Sequence, residues 1–519
     1  MFAWWMWLGA CQSNSMPKSE EPVIILVSID TLRADHLGVY GYSRDTSPFM
    51  DGLASKGVRF AKARSASPWT LPAHATMLTG LLPSTHMITD DNVALSPETP
   101  ILQEILQQRG WKTAGIVSTM YVSRLFGFDR GFDFFEDFGV LSEKQNLSGS
   151  INASNVVDTA WSWMKEQPAD APLFVFLHFY DVHYSYEAPS PYDTHFDRES
   201  KEGDVEYKNY MYFTKRKVAK AQQEHQIAQY DEEIYYVDRQ LEKLSTQIAP
   251  FRSNVRWVIT ADHGEEFWER GSWGHAHTLY NEQLHIPLIV SGYDIPSAVL
   301  DQEWVGNHDI APTILSWVQD TSPDTSQMDG IDLTPFFTKG DTLPQRSMLA
   351  ETSRFKTNKI SLLEGEYRLE WDLQNNKSEL FDISVDSKEK YDISKNQPEI
   401  LFALQRRAED LLGKPWTVQQ DGLVSCQHAV VFQQGRKSCT TAMKAGDKFQ
   451  VLPYDTPVFF QASGETEKKG PIQQIGGSTD VASDFGLILD TKMQNTSKNV
   501  LLDDAAKKRL EHLGYIQEE

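Results

Sequence analysis

Three stretches of this chain, two apolar without a break and one interrupted only by Thr260, run straight into acidic or imidazole side chains. Val23 to Val27 leads to Asp30, Leu173 to Leu177 leads to His178, Asp181 and His183, and Trp257 to Ala261 leads to Asp262 and His263. Continuous apolar runs, as opposed to alternating ones, predict strands buried on both faces. Between these runs the pattern changes: residues 99–118 read as helix, turn and strand, and residues 150–167 and 218–247 carry a helical period. Strands alternating with helices predict an α/β fold, a mostly parallel sheet covered on both sides. In the last of these helices Asp231, Glu232 and Glu233 read as a solvated face. Residues 187–217, aromatic and charged, read as a lid or substrate-facing loop.

A fourth stretch, SASPWTLPAHATMLTG at 65–80, reads as a loop turning into a short helix from Pro72 to Thr79 that Gly80 stops. A hydroxyl at such a helix start faces free backbone N–H groups and the positive end of the dipole, a suitable place for an alkoxide or a bound tetrahedral anion. Thr70 fits that role, and equally fits that of a plain helix cap. Ligands of open α/β sheets gather at the carboxyl ends of the strands. Three apolar strands each ending in Asp or His, together with Thr70, form a metal-site pattern.

Further along, MLAETS, KISLLEGEYRLEWD and SELFDI predict a small antiparallel sheet with a hairpin turn at QNNK and a helix at 397–413 beside it. Residues 414–500 alternate strand-like runs with turns and read as a separate β-rich module, followed by a C-terminal helix or tail at 501–519. The resulting division is a leader and tether at 1–21, a catalytic α/β domain at 22–345, the small antiparallel subdomain at 346–413, the β-rich module and the tail.

Composition narrows the function. The chain has 519 residues, 40% of them hydrophobic, enough for a large core and more than one domain. Its net charge of −23 excludes nucleic acid and anionic membrane as partners of the bulk surface. An anionic substrate must then be drawn in by local positive charge, which a metal supplies. Residues 1–11, MFAWWMWLGAC, resemble a bacterial lipoprotein signal with Cys11 as the lipidated residue; a plain secretory signal or a chance apolar start is the alternative. Under the first reading the protein is exported and touches a membrane through its lipid anchor only, facing periplasm or cell surface. The two other cysteines, Cys426 and Cys439, read either as one disulfide or as two buried thiols.

Several motifs in order resemble the sulfatase family of the alkaline phosphatase superfamily: DTLRADHLGVYGY, Asp262-His263-Gly264, GHAHTLYNEQLHIPLIV at 274–290, DIAPTIL at 309–315, and ELFDISVDSKEKYDI at 379–393. The family's nucleophile motif is Cys or Ser, any residue, Pro, any residue, Arg, then Thr-Gly after four more. Here that spacing falls on Thr70, Pro72, His74, Thr79 and Gly80. The resemblance implies the family's α/β fold, its small C-terminal subdomain and ester hydrolysis with a metal.

The departures from the family pattern carry chemical consequences. Thr70 cannot mature into formylglycine, because its Cβ bears a methyl group. An ester on Thr70 must therefore be displaced by water or an acceptor alcohol. The family's paired Asp and Asp-Asn ligands become Asp30-Thr31 and Asp262-His263, which favours zinc or manganese over calcium or magnesium. The expected ligands are Asp30, Thr70, Asp262 and His263. His74 stands where the family has Arg and is expected to bond Thr70 or a substrate oxygen. His183 fits the substrate-side histidine that donates to the leaving group. His275 or His277 falls where sulfatases place a sulfate-binding Lys, and both are candidate ligands of a second metal with Asp181. Arg33 and His178 are placed in the surrounding shell. The reading is a hydrolase of sulfate or phosphate esters, phosphate mono- or diesters favoured, acting on a small-molecule or glycan ester. A non-catalytic surface-anchored binding protein on the same fold and a phosphoryl-group transferase are the alternatives.

Overall fold

The computed structural model describes residues 20–138, 151–197, 218–318 and 325–412, together with short backbone strands between 416 and 499. An eight-stranded sheet forms the centre. Its order is Ala298–Leu300, Val58–Phe60, Leu288–Gly292, Val255–Ala261, Val23–Ile29, Leu173–Phe179, Lys112–Ile116 and Phe134–Glu136. Only Leu288–Gly292 runs against its neighbours. All seven residues of Val23–Ile29 and of Leu173–Phe179 are buried, as their unbroken apolar runs require.

Register decides where the chemistry lands. Val23–Ile29 pairs in parallel with Leu173–Phe179 on one side and Val255–Ala261 on the other, each from first residue to last. The three strands therefore end at one level. Asp30 and Asp262 emerge side by side, with His178 one residue short of the third strand's end.

The Thr70–Thr79 helix lies wholly buried, and Gly80 closes it at φ 71°, a left-handed conformation that favours glycine. The helix starts two residues before Pro72. Trp69 is its cap and makes no side-chain capping bond, so Thr70 is the first helical residue and not the cap.

The Lys220–Ile248 helix corrects one expectation. Asp231, Glu232 and Glu233 are buried, not solvated. Asp231 takes bonds from His36 Nδ1 at 2.7 Å, Tyr42 at 2.6 Å and Arg44 at 2.6 Å. Glu232 and Glu233 accept the amides of Phe196 at 2.8 Å and Glu187 at 2.7 Å. The helix is covered by segments distant in sequence, and its carboxylates satisfy their backbone donors. The remainder of the expected lid, residues 198–217, lies outside the described residues.

The small subdomain forms as expected: Met348–Thr352, Lys359–Glu364, Tyr367–Asp372 and Lys377–Asp382 pair antiparallel in that order. The Pro398–Leu412 helix packs Leu404, Ala408 and Leu412 against that sheet's Leu362, Leu369 and Leu380. Beyond it, strands such as Gly422–Cys426 and Val458–Ala462 pair, and Lys498–Asn499 returns to pair with Val93–Ala94. Cys11, Cys439 and residues 501–519 lie outside the described residues, and with them the expected lipid anchor, the choice between a disulfide and two thiols, and the terminal helix or tail. Among the described residues no helix is long and apolar enough to cross a membrane.

Candidate active site

The strand ends and the Thr70–Thr79 helix meet. His263 Nε2 lies 3.3 Å from Asp262 Oδ2, 3.6 Å from Asp30 Oδ1 and 3.5 Å from Thr70 Oγ1. All four side chains are fully buried. The histidine's other nitrogen, Nδ1, sits 2.9 Å from the Gly264 carbonyl, an acceptor only. Nδ1 therefore carries the hydrogen, and Nε2 presents a lone pair to Asp30, Asp262 and Thr70.

Two carboxylates and a lone pair converge here without a cation of their own. Burial, and then the Glu265 carboxylate, push Asp30 well above the usual carboxylate range. Burial, and then Asp30, do the same to Asp262. Both oxygens of Asp30 and Oδ2 of Asp262 lack a hydrogen-bond partner. Uncompensated buried carboxylates are costly, and an ion removes the cost. The spacing agrees: donors held about 2.0–2.1 Å from zinc at tetrahedral corners lie about 3.3 Å apart. Asp30, Asp262 and His263 thus fit a divalent ion with Thr70 Oγ1 at its side.

Asp262 is held for this task by backbone. Its Oδ1 accepts the amides of His263 at 2.8 Å and Thr31 at 3.2 Å, leaving Oδ2 toward the cluster. Thr31 adopts φ 55°, an outlier for a β-branched residue. Its hydroxyl turns away to the Val182 carbonyl at 2.7 Å, so it does not replace the carboxylate the family has at this place.

His74 takes a supporting position. Its Nδ1 donates to the Thr70 carbonyl at 2.8 Å and lies 3.5 Å from Asp262 Oδ2, while Nε2 meets Ser28 Oγ at 2.9 Å. Both nitrogens are engaged, and neither meets the Thr70 hydroxyl. His74 therefore steadies the Thr70 backbone and Asp262, and with His178 and Asp262 it forms a second buried group whose donor atoms lie close enough to hold an ion. His178 Nε2 faces Asp30 Oδ2 at 3.4 Å. Arg33 stands further out, bonding the Glu265 carbonyl, Glu269 and Asp35.

On the opposite side His183, His275 and His263 form a row, with ring centroids 5.0 Å and 4.5 Å apart. Nδ1 of His183 bonds the Tyr184 carbonyl at 2.6 Å, and Nδ1 of His275 bonds Glu265 at 2.9 Å. In both the Nδ1 carries the hydrogen. Burial, followed by neighbouring positive groups, holds both well below the usual histidine range, so both are neutral near pH 7. A neutral His183 with its hydrogen on Nδ1 has no Nε2 proton to give to a leaving group.

The structure does not assemble the expected second metal set. His277 has both nitrogens taken, Nδ1 by the His275 carbonyl at 2.9 Å and Nε2 by Glu266 at 2.8 Å, so it offers nothing to substrate or ion. Asp181 turns to the Ala153–Met164 helix, accepting the Ala153 amide at 2.7 Å. Among the described residues, no metal-competent group contains Asp181, His275 or His277. Two buried groups escaped the sequence reading. Glu265, which follows Asp262-His263-Gly264 directly, orients His275 and also accepts from Tyr186 at 3.0 Å. Arg354 comes from the small subdomain, outside every motif, and its guanidinium lies over the ring of Trp69 at 4.4 Å.

Comparison with known proteins identifies the family and the fold. Residues 22–320 match the family model named Sulfatase. An N-acetylglucosamine-6-O-sulfatase of Bacteroides thetaiotaomicron is 24% identical over 185 residues, 33% of this chain and 32% of that one. An ulvan-active sulfatase of Formosa agariphila is 23% identical over 359 residues, 63% of this chain and 67% of that one. The phosphonate monoester hydrolase of Agrobacterium radiobacter shares the fold at a TM-score of 0.61 and 15% identity, over 75% of this chain and 95% of the other. With the family model matched over residues 22–320, the chain belongs to the sulfatase family, a family of ester hydrolases.

Proposed function

We propose that this chain is a metal-dependent hydrolase of phosphate or sulfate esters with Thr70 Oγ1 as nucleophile, phosphate esters favoured. One observation carries the reading: the buried hydroxyl stands 3.5 Å from His263 Nε2, beside two carboxylates that lack a counter-ion. Asp30, Asp262, His263 and the Thr70 hydroxyl would hold the ion, and two carboxylates with one imidazole suit zinc or manganese better than calcium or magnesium. When bound, the ion supplies charge that lowers the pKa of a nearby hydroxyl and offsets the negative oxygens of the ester.

The chain's own groups then act in two steps. Thr70 Oγ1 bonds to phosphorus as the bond to the leaving oxygen breaks, and the hydroxyl proton passes to that oxygen. Water next bonds to phosphorus, the Thr70 Oγ1–phosphorus bond breaks, and a water proton returns to Thr70. The expected role of His183, donation to the leaving group, would require it first to take up that proton. His74 keeps the helix start and Asp262 in place throughout.

The phosphate preference rests on Thr70. A formylglycine hydrate releases sulfate by collapsing to the aldehyde, and the methyl group of Thr70 removes that exit. The curated relatives' names point to sugar esters for those proteins, which supports a glycan or other small ester here. Export and a lipid at Cys11 rest on the leader sequence alone.

Turnover of 4-nitrophenyl phosphate, bis(4-nitrophenyl) phosphate and 4-nitrophenyl sulfate with zinc, manganese or calcium tests the reading. The expected result is phosphate turnover with zinc or manganese. Faster turnover of the sulfate than of both phosphates overturns the preference, and no turnover of any ester overturns the enzyme reading.

A further inference from the structure

Ser28, two residues before Asp30, pairs in register with His178 on one side and with Thr260 on the other. Its hydroxyl meets His74 Nε2 at 2.9 Å, and the His74 and His178 rings stand edge to face with centroids 4.9 Å apart. Both histidines are fully buried.

His178 offers a lone pair. Ser118 Oγ donates to the His178 carbonyl at 2.9 Å, so toward His178 Nδ1, 3.5 Å away, it can only accept. The ring hydrogen therefore belongs on Nδ1, and Nε2 faces Asp30 Oδ2 at 3.4 Å. His178 Nε2, Asp30 Oδ2 and Asp262 Oδ2 all lack a hydrogen-bond partner. A buried lone pair aimed at a buried carboxylate oxygen is repelled unless a cation lies between them.

The two oxygens of Asp30 are divided between two histidines. Oδ1 lies 3.6 Å from His263 Nε2, and Oδ2 lies 3.4 Å from His178 Nε2. Asp262 Oδ2 is shared in the same way, 3.3 Å from His263 Nε2 and 3.5 Å from His74 Nδ1. The donor atoms of His74, His178 and Asp262 lie within 4.8 Å of one another, as do those of Asp30, Asp262 and His263. One pair of carboxylates thus serves two sets of imidazoles.

We propose that His74 and His178, with the shared oxygens of Asp30 and Asp262, form a second divalent-cation site, so that the two carboxylates bridge a pair of ions. Imidazoles beside carboxylates suit zinc or manganese better than calcium. Ions paired in this way stand about 3.5–4 Å apart. His74 joins by moving its hydrogen from Nδ1 to Nε2, where Ser28 Oγ can accept it. This set lies on the His178 side of Asp30 and uses none of Asp181, His275 and His277. A single divalent ion only balances the charges of Asp30 and Asp262, whereas a second leaves the centre positive toward a doubly charged phosphoryl group. The inference rests on the metal-dependent reading of Asp30, Asp262 and His263 and extends it by one ion.

The test titrates the chelator-stripped, full-length protein with manganese and follows it by electron paramagnetic resonance and elemental analysis. Wild type is expected to bind two ions per chain, the second converting the hyperfine-split signal of an isolated ion into the broadened signal of a coupled pair. His178→Gln is expected to bind one ion without coupling, its affinity for the second falling by at least about 100-fold, the upper end of what losing an outer-shell partner costs. His74→Gln should weaken the second ion in the same direction. A wild type that binds one ion, or two without coupling, overturns the proposal and leaves the ion beside Thr70 standing. A folded His178→Gln variant that keeps the coupled pair also overturns it. A wild type that binds no ion overturns both the proposal and the metal reading beneath it. The wild-type spectrum decides by itself, so the test stands even where a variant fails to fold.

Discussion

Asp30 and Asp262 stand at the ends of neighbouring strands, and the Asp30 carboxylate pushes Asp262 toward protonation. Asp262 feels Asp30 as its largest charge effect after burial, and Asp30 feels Glu265. The fold therefore bears a cost that a cation offsets, and that protonation offsets when no cation is bound. Asp262→Asn retains an oxygen for the Thr31 and His263 amides and removes one charge. The metal-free protein should melt higher by several degrees in this variant, on the order of 2–4 °C per kcal/mol relieved. The metal-loaded protein should instead melt lower, because binding to the folded state is weakened. Calorimetry with and without chelator reads both signs.

Thr70→Ala should lower turnover by on the order of 10³-fold or more while the ion stays, since Asp30, Asp262 and His263 remain. Thr70→Ser should retain measurable turnover, having the same hydroxyl. Elemental analysis beside the rate assay separates loss of nucleophile from loss of metal.

Neither Asp181→Asn nor His277→Ala should change the metal count, because neither side chain faces the ion set. His277→Ala should lower the melting temperature by breaking its bonds to Glu266 and the His275 carbonyl. Metal stoichiometry by mass spectrometry, with melting curves, checks this. A fall from two ions to one would restore a second metal.

Burial raises Asp181 from its ordinary value to about 7. The folded state then holds a proton that the unfolded state has released above about pH 4. Stability should fall as pH rises from about 4 through about 7, and level off above. Asp181→Asn can still accept the Ala153 amide and should flatten that slope, giving a higher melting temperature than wild type at pH 8. Melting curves across that range test the sign.

Much of this arrangement was legible in the chain. Strands buried on both faces leave unbroken apolar runs, and parallel register sets the residues just past their ends at one level, so the sequence alone groups Asp30, Asp262 and His263. Proline spacing and Gly80 marked the Thr70–Thr79 helix. Partners distant in sequence were not legible. Asp231, Glu232 and Glu233 have the pattern of a wet face, and only the loops folded over them make them buried. His277 looks like a ligand until Glu266 is seen across a two-strand turn. Asp181 looks like one until the Ala153 amide claims it. Arg354 belongs to another subdomain, and no local spacing links it to Trp69.

The central claim is that one ion and the Thr70 oxygen share a point in space. Anomalous diffraction from crystals of the manganese-loaded protein tests it most directly. The expected peak lies within bonding distance of Asp30, Asp262, His263 and Thr70 Oγ1 together. A peak held by other residues, with Thr70 Oγ1 remote from it, would contradict the account.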